Sequence, residues 1–215
     1  MRTRRNYILP LLFALIVIII GVWIVKIVND TVPFVDQWTR GFVQQVDDTF
    51  VYTFFRWVTD FGSQPFLLPF TIIMAFVLWG LLRDWLPGLM FSLGTLFTHL
   101  FNLLIKELVE RSRPSVLPAA SAEGHSFPSG HAMISMVCYG LLAYFIAKRI
   151  RSEKAVLLVQ LFFAIVIFLI GMSRYFINVH YLTDVVAGYV IGFICLVGLI
   201  SLYRMIQRYR SPSQG

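Results

Sequence analysis

Long apolar runs separated by short polar stretches set the architecture of this chain. Six segments stay apolar for about 17 residues or more, the length that crosses a hydrocarbon core of about 30 Å. They are Tyr7–Val25, Pro65–Leu82, Leu86–Ile105, Ser129–Ala147, Ala155–Met172 and Leu182–Tyr203. Backbone groups at that depth find no water, so each segment must satisfy its own hydrogen bonds as a helix. The fold class expected is therefore all-α, a bundle of six transmembrane helices in one domain over residues 1–215. No polar, Pro-rich or Ser-rich linker separates two units, and no internal repeat or low-complexity segment is present. Composition agrees: 58% of the residues are hydrophobic and 13% charged, too much apolar surface for a small soluble domain to hide.

Between the first two segments, Val35–Phe61 carries Phe42, Val46, Phe50, Phe54, Val58 and Phe61 at near-helical spacing. Asp36, Arg40, Gln44, Gln45, Asp47, Asp48 and Asp60 interrupt them. Two readings stand side by side. One is an amphipathic helix in the headgroup region; the other is a lid packed on the helix ends.

An even number of crossings puts both termini on one side. That side holds Arg2, Arg4, Arg5, Arg83, Lys148, Arg149, Arg151, Lys154, Arg204, Arg208 and Arg210, eleven of the 18 lysines and arginines, with Asp84 and Glu153 as its acids. The excess of positive residues predicts cytoplasmic termini in a multi-pass cell-membrane protein. The net charge of +7 is then a topological signal, and no nucleic-acid partner is expected. The basic start at Arg2, Arg4 and Arg5 resembles a signal peptide, but the segment is too long and lacks a small-x-small cleavage site, so it reads as an uncleaved anchor. Cys138 and Cys195 lie within apolar runs and read as packing residues.

Ionisable groups near membrane depth are costly and need a reason. Here they gather in three clusters, all on the outer side by the crossing count: Lys106–Pro114, Pro128–His131 and Ser173–Asp184. Each suits a phosphate. Arg113 and Arg174 offer planar forks that match phosphate oxygens, and Lys106 adds a point charge. Lys106 and Arg113 stand seven residues apart, but Pro114 disfavours helix at Arg113, which places that side chain just past the helix end. Pro128 fits a helix start. Ser129, Gly130 and His131 then occupy a first turn, where free N–H groups favour an anion.

His180 and Asp184 are four apart, neighbours on one helical face. A carboxylate bonded to one imidazole nitrogen fixes the tautomer and leaves the other free to attack. His131 is placed to protonate a departing oxygen. A lone histidine in a membrane helix is usually a helix-to-helix hydrogen bond, and a lone terminal arginine usually snorkels. Two histidines, a carboxylate and three cations at one level favour chemistry instead.

These residues resemble the type-2 phosphatidic acid phosphatase superfamily. Lys106 to Arg113-Pro114 fits its first motif, Pro128-Ser129-Gly130-His131 its second, and Ser173-Arg174 with His180 and Asp184 its third. Order and six-helix layout agree from about Pro65 onward, most closely with the compact bacterial phosphatidylglycerophosphatase B branch. The resemblance implies an enzyme that hydrolyses lipid phosphates through a phosphohistidine at His180, with Asp184 as its partner. It implies His131 as acid and then base, and a phosphate cradle of Lys106, Arg113, Ser129, Gly130 and Arg174. Phosphatidylglycerol phosphate, phosphatidate and undecaprenyl pyrophosphate are the substrates implied, at the extracytoplasmic face, with no metal or other cofactor. Glu107, Glu110 and Glu123 lack metal-ligand spacing, and no second or third carboxylate is expected beside Asp184. His125 lies outside the motif and reads as a loop residue. The lipid bilayer is the expected partner, with no obligate protein partner. A vanadate-dependent peroxidase using the same anion site, or a non-enzymatic lipid transporter, are the rival readings.

Overall fold

The computed structural model describes residues 7–46, 49–114 and 124–210. Among them eight helices follow one another: α1 Ile8–Val28, α2 Phe34–Gln44, α3 Phe50–Asp60, α4 Gln64–Leu82, α5 Trp85–Val109, α6 Gly130–Ala147, α7 Glu153–Phe176 and α8 Leu182–Arg210. Six of them, all but α2 and α3, are long and apolar enough to cross a membrane, and they coincide with the six segments read from the sequence. The observed helices outrun the apolar runs at the ends, most at α5, α7 and α8, because polar residues there are still within the last turns.

Local chemistry sets the boundaries. Asp84 caps α5 by accepting from the Leu86 N–H at 3.1 Å, and Ser152 caps α7 through the Ala155 N–H. Each side chain satisfies an N–H that the helix cannot. α4 ends on Arg83 and α5 on Glu110, both left-handed at φ 52° and 50°. Such a residue turns the chain out of the helix.

The most buried span is α6, at the centre of the bundle. Its Val137, Leu141 and Phe145 pack with Leu78 of α4, Phe91 of α5 and Ile170 of α7. Helix α8 closes on α6 through Gly188 and Gly192. A Cβ on either would stand 2.7 Å from the carbonyl oxygen of Ser129 or Met133 respectively. Small residues permit this approach of two membrane helices. α1 packs loosely on α5 and α8, burying Ile20 and Ile27.

The stretch Val35–Phe61 is two helices instead of one amphipathic segment. Thr49 caps α3 by accepting from the Tyr52 N–H at 3.4 Å; Asp47 and Asp48 lie outside the described residues. One face of this stretch packs on the protein and the other is exposed and aromatic. Phe34, Trp38, Phe50 and Trp57 are exposed, whereas Asp36, Val43, Phe55 and Thr59 are buried. Phe55 stacks on Phe176 of α7, with ring centroids 4.4 Å apart. Asp36, read as a polar interruption, is therefore a correction: it points into the protein.

The two ends of the bundle differ. At one end Asp84 accepts from Arg210 at 2.9 Å and Gln207 at 2.8 Å, and Lys148 donates to the Tyr203 hydroxyl at 2.7 Å. Of the basic residues counted above, Arg83, Lys148, Arg149, Arg151, Lys154, Arg204, Arg208 and Arg210 belong to that end, while Arg2, Arg4 and Arg5 lie outside the described residues. The three polar clusters lie at the opposite end.

Candidate active site

The end of α5, the start of α6, the end of α7 and the start of α8 meet at one point. His180 sits in the tight connection from α7 to α8, its backbone N–H donating to the Arg174 carbonyl at 3.1 Å. Its Nδ1 lies 3.5 Å from Asp184 Oδ2 and its Nε2 3.1 Å from Arg113 Nη1. A guanidinium only donates, so Nε2 holds the lone pair and Nδ1 carries the proton toward the carboxylate. Burial pushes the imidazole down to about 3; Asp184 pulls it upward, and Arg113 and Arg174 lower it further. His180 is neutral at pH 7.

Arg113 is in the loop beyond α5, as Pro114 requires. Its fork also donates to the carbonyls of Gly124 (2.9 Å), Val179 (2.9 Å) and His125 (3.3 Å). His125 thus contributes its backbone to the site. Burial lowers the Arg113 pKa and Asp184 opposes that shift; the group remains a cation at neutral pH.

Ser129 is the N-cap of α6, accepting from the Ala132 N–H at 3.5 Å, and Gly130 is the first helical residue. The helix begins two residues later than a first position at Pro128 would put it. The Ser129 N–H donates to the Asp184 carbonyl at 3.0 Å, tying the second cluster to the third. His131 lies within electrostatic reach of Arg174, His180, Lys106 and Arg113. His131 Nε2 and Arg174 Nε are buried with no hydrogen-bond partner among the described residues, while Arg174 Nη1 donates to Thr59 at 2.9 Å. Orphan donors and acceptors of this kind mark a place built for a polar ligand.

Lys106, Gly130 and His131 line a groove of about 420 Å³ between α4, α5 and α6. Its walls are apolar, with Leu68, Ile72, Leu93, Leu96 and Leu103 on the outer surface of the bundle. The groove therefore runs from the polar cluster to the face that meets lipid tails.

Five contributors, Arg111, Thr183, Asp36, Tyr181 and Ser126, were not assigned to the site from the sequence. Arg111 donates through Nη1 to Asp184 Oδ1 and to Thr183 Oγ1 (2.8 Å), and through Nη2 to Asp36 Oδ2 (2.7 Å). Its guanidinium stacks 3.9 Å above the Tyr181 ring. Ser126 donates to Asp184 Oδ2. Asp184 is thus not isolated: Asp36, a second carboxylate, stands across Arg111 from it. Arg111 lay inside the first cluster and was legible there as a third cation; nothing in the pattern of α2 distinguishes Asp36 from a headgroup-facing acid. Among the described residues, no group of three His, Cys, Asp or Glu gathers as metal ligands do.

The chain is similar to known proteins. The family model described as the PAP2 superfamily matches residues 87–208, which contain all three clusters. Phosphatidylglycerophosphatase B of Bacillus subtilis is 31% identical over 154 residues, covering 71% of this chain and 75% of that protein. Dolichyldiphosphatase of Saccharomyces cerevisiae is 24% identical over 156 residues, covering 68% of this chain and 64% of that protein. The crystal structure of a transmembrane PAP2-type phosphatidylglycerolphosphate phosphatase from Bacillus subtilis superposes with a TM-score of 0.78 at 24% identity. That superposition covers 89% of this chain and 98% of the other. With six apolar helices, a transmembrane neighbour of the same fold and a family match over more than half its length, the chain is a multi-pass membrane protein and belongs to the PAP2 superfamily.

Proposed function

We propose that this protein is a lipid phosphate phosphatase that works through a phosphohistidine at His180 and takes phosphatidylglycerol phosphate, undecaprenyl pyrophosphate or phosphatidate-type lipids. The observation that carries the reading is the state of His180: neutral, with Nδ1 turned to Asp184 and the Nε2 lone pair turned to the Arg113 fork. A nucleophile needs that lone pair, and a phosphate needs that fork. The relatives bear names of enzymes that cleave lipid phosphates, and the groove supplies an apolar path for the lipid chain.

In this mechanism Nε2 of His180 attacks phosphorus in line with the leaving oxygen. The N–P bond forms as the P–O bond to the lipid breaks, and His131 gives its proton to the departing oxygen. Arg113, Arg174, Lys106, the Ser129 hydroxyl and the Gly130 N–H at the start of α6 hold the phosphoryl oxygens. Water then attacks the phosphohistidine, His131 takes its proton, and inorganic phosphate leaves with His180 restored. Asp184 keeps the tautomer throughout and balances the charge on the ring.

The site faces outward in this reading, because the basic end of the bundle belongs in the cytoplasm. Purified protein in detergent is expected to release phosphate from phosphatidylglycerol phosphate and undecaprenyl pyrophosphate, and His180→Ala to abolish both. A His180→Ala enzyme with wild-type turnover would falsify the assignment. Labelling of Ser112→Cys by an impermeant thiol reagent in intact cells supports the outward orientation; labelling only in broken cells reverses it.

A further inference from the structure

We infer that Asp36, on α2 just after the first span, is a positioning residue for the catalytic pair: it holds one arm of Arg111 so that Asp184 keeps an oxygen for His180. The inference rests on the assignment of His180 and Asp184 above. An arginine beside a carboxylate prefers the bidentate fork, two parallel N–H groups on two oxygens. Arg111 does otherwise. Nη1 engages Asp184 Oδ1, and Nη2 turns away to Asp36 Oδ2 at 2.7 Å. Asp184 Oδ2 is left to Ser126, to the Tyr181 N–H at 2.9 Å and to the His180 ring at 3.5 Å.

Asp36 is itself fixed. Oδ1 accepts from the Thr183 N–H at 3.0 Å, and Oδ2 accepts from the Thr183 hydroxyl at 2.6 Å as well as from Arg111. Thr183 is next to Asp184 in the first turn of α8, so Asp36 grips both the cation and the helix start it serves. All three groups are buried, Asp36 at 2% exposure, Arg111 at 7% and Asp184 at 0%. Buried charges at such sites persist only when fully paired. A single cation shared by two carboxylates also leaves more negative charge on Asp184 for the imidazole than a private pair does.

The test is kinetics of Asp36→Asn on a lipid phosphate in detergent, with Arg111→Met, the double variant and His180→Ala alongside. Asparagine has one acceptor oxygen where aspartate has two and carries no charge, so it cannot take all three donors, the Thr183 N–H, the Thr183 hydroxyl and Arg111. Arg111 is then expected to swing onto both oxygens of Asp184. kcat falls by about tenfold to a hundredfold, the worth of a hydrogen bond to a charged group, while KM holds because Asp36 does not meet the phosphate. The double variant is no slower than the slower single, because both changes cut one link. Wild-type kcat in Asp36→Asn, a loss confined to KM, or losses that multiply in the double variant overturn the inference. If Asp36→Asn does not fold, Thr183→Val carries the test: lowered kcat at steady KM supports the link and unchanged kcat refutes it. A dead His180→Ala with an unaffected Asp36→Asn removes only this inference, whereas an active His180→Ala removes the assignment beneath it.

Discussion

Gly130 and Asn102 approach so closely that a Cβ on the glycine would stand 2.8 Å from the Asn102 side-chain oxygen. Asn102 is not free to swing away, because its amide donates to the Pro128 carbonyl at 3.2 Å. Together they lock the start of α6, and with it His131, onto α5. Gly130→Ala is expected to destabilise the protein by about 1–3 kcal/mol, the usual cost of overpacking, and to lower kcat. Thermal unfolding in detergent reads the first and phosphate release the second. Adding Asn102→Ala should return part of the stability; a Gly130→Ala protein as stable as wild type removes the steric account.

The Arg113 fork is the group most exposed to test. Arg113→Ala should lower kcat/KM by about 1.5–3 kcal/mol in barrier terms, and Arg113→Lys should recover little of it, since an ammonium cannot reproduce the planar pair of donors. Full recovery with lysine would show that charge alone is needed.

His180 also gives the fold a pH dependence of known sign. Its pKa falls from 6.5 to about 3 on folding. As pH drops below 6.5 the unfolded chain binds a proton that the folded chain refuses. The contribution to stability is complete above pH 6.5 and is lost progressively toward pH 3. Unfolding temperatures measured from pH 7.5 to 4 should decline, and His180→Gln should flatten the decline. An unchanged slope in that variant assigns the acid sensitivity elsewhere.

Leu93 is 53% exposed on the groove wall. Leu93→Trp narrows the apolar path without touching the polar cluster. KM should rise for long-chain lipid phosphates and stay level for a short-chain soluble analogue. An equal rise for both would mean that the lipid enters by another route.

Activity is expected to survive EDTA. Asp36 and Asp184 are not free to share a metal ion, because the Arg111 guanidinium already stands between them. Loss of turnover on chelation, restored by one divalent metal, would refute this.

The spans were legible because a bilayer permits few alternatives. Leu93, Leu100 and Phe162 announce their surroundings by composition alone, and a helix is the structure open to such runs. The histidines and the three motif cations were legible for the opposite reason, as polar groups where polarity is costly. What escaped was pairing. Arg111 and Asp36 are 75 residues apart, and no periodicity links them. Asp36 looks the same in sequence whether its helix floats at the surface or turns inward. Asn102 was within reach, four residues before Lys106 on one face of α5, but an amide is a weaker signal than a charge. The break between α2 and α3 was hidden by continuous aromatic spacing across it.

Helix α8 is one unbroken rod of 29 residues, about 43 Å at 1.5 Å per residue. Its first turn holds Asp184 and its last residue, Arg210, grips Asp84. A rod pinned at both ends feels the thickness of the membrane it crosses, because mismatch is relieved by tilt. Reaction rates should therefore track acyl-chain length in reconstituted vesicles, with an optimum where the lipid leaves the rod upright enough to keep Asp184 beneath its imidazole.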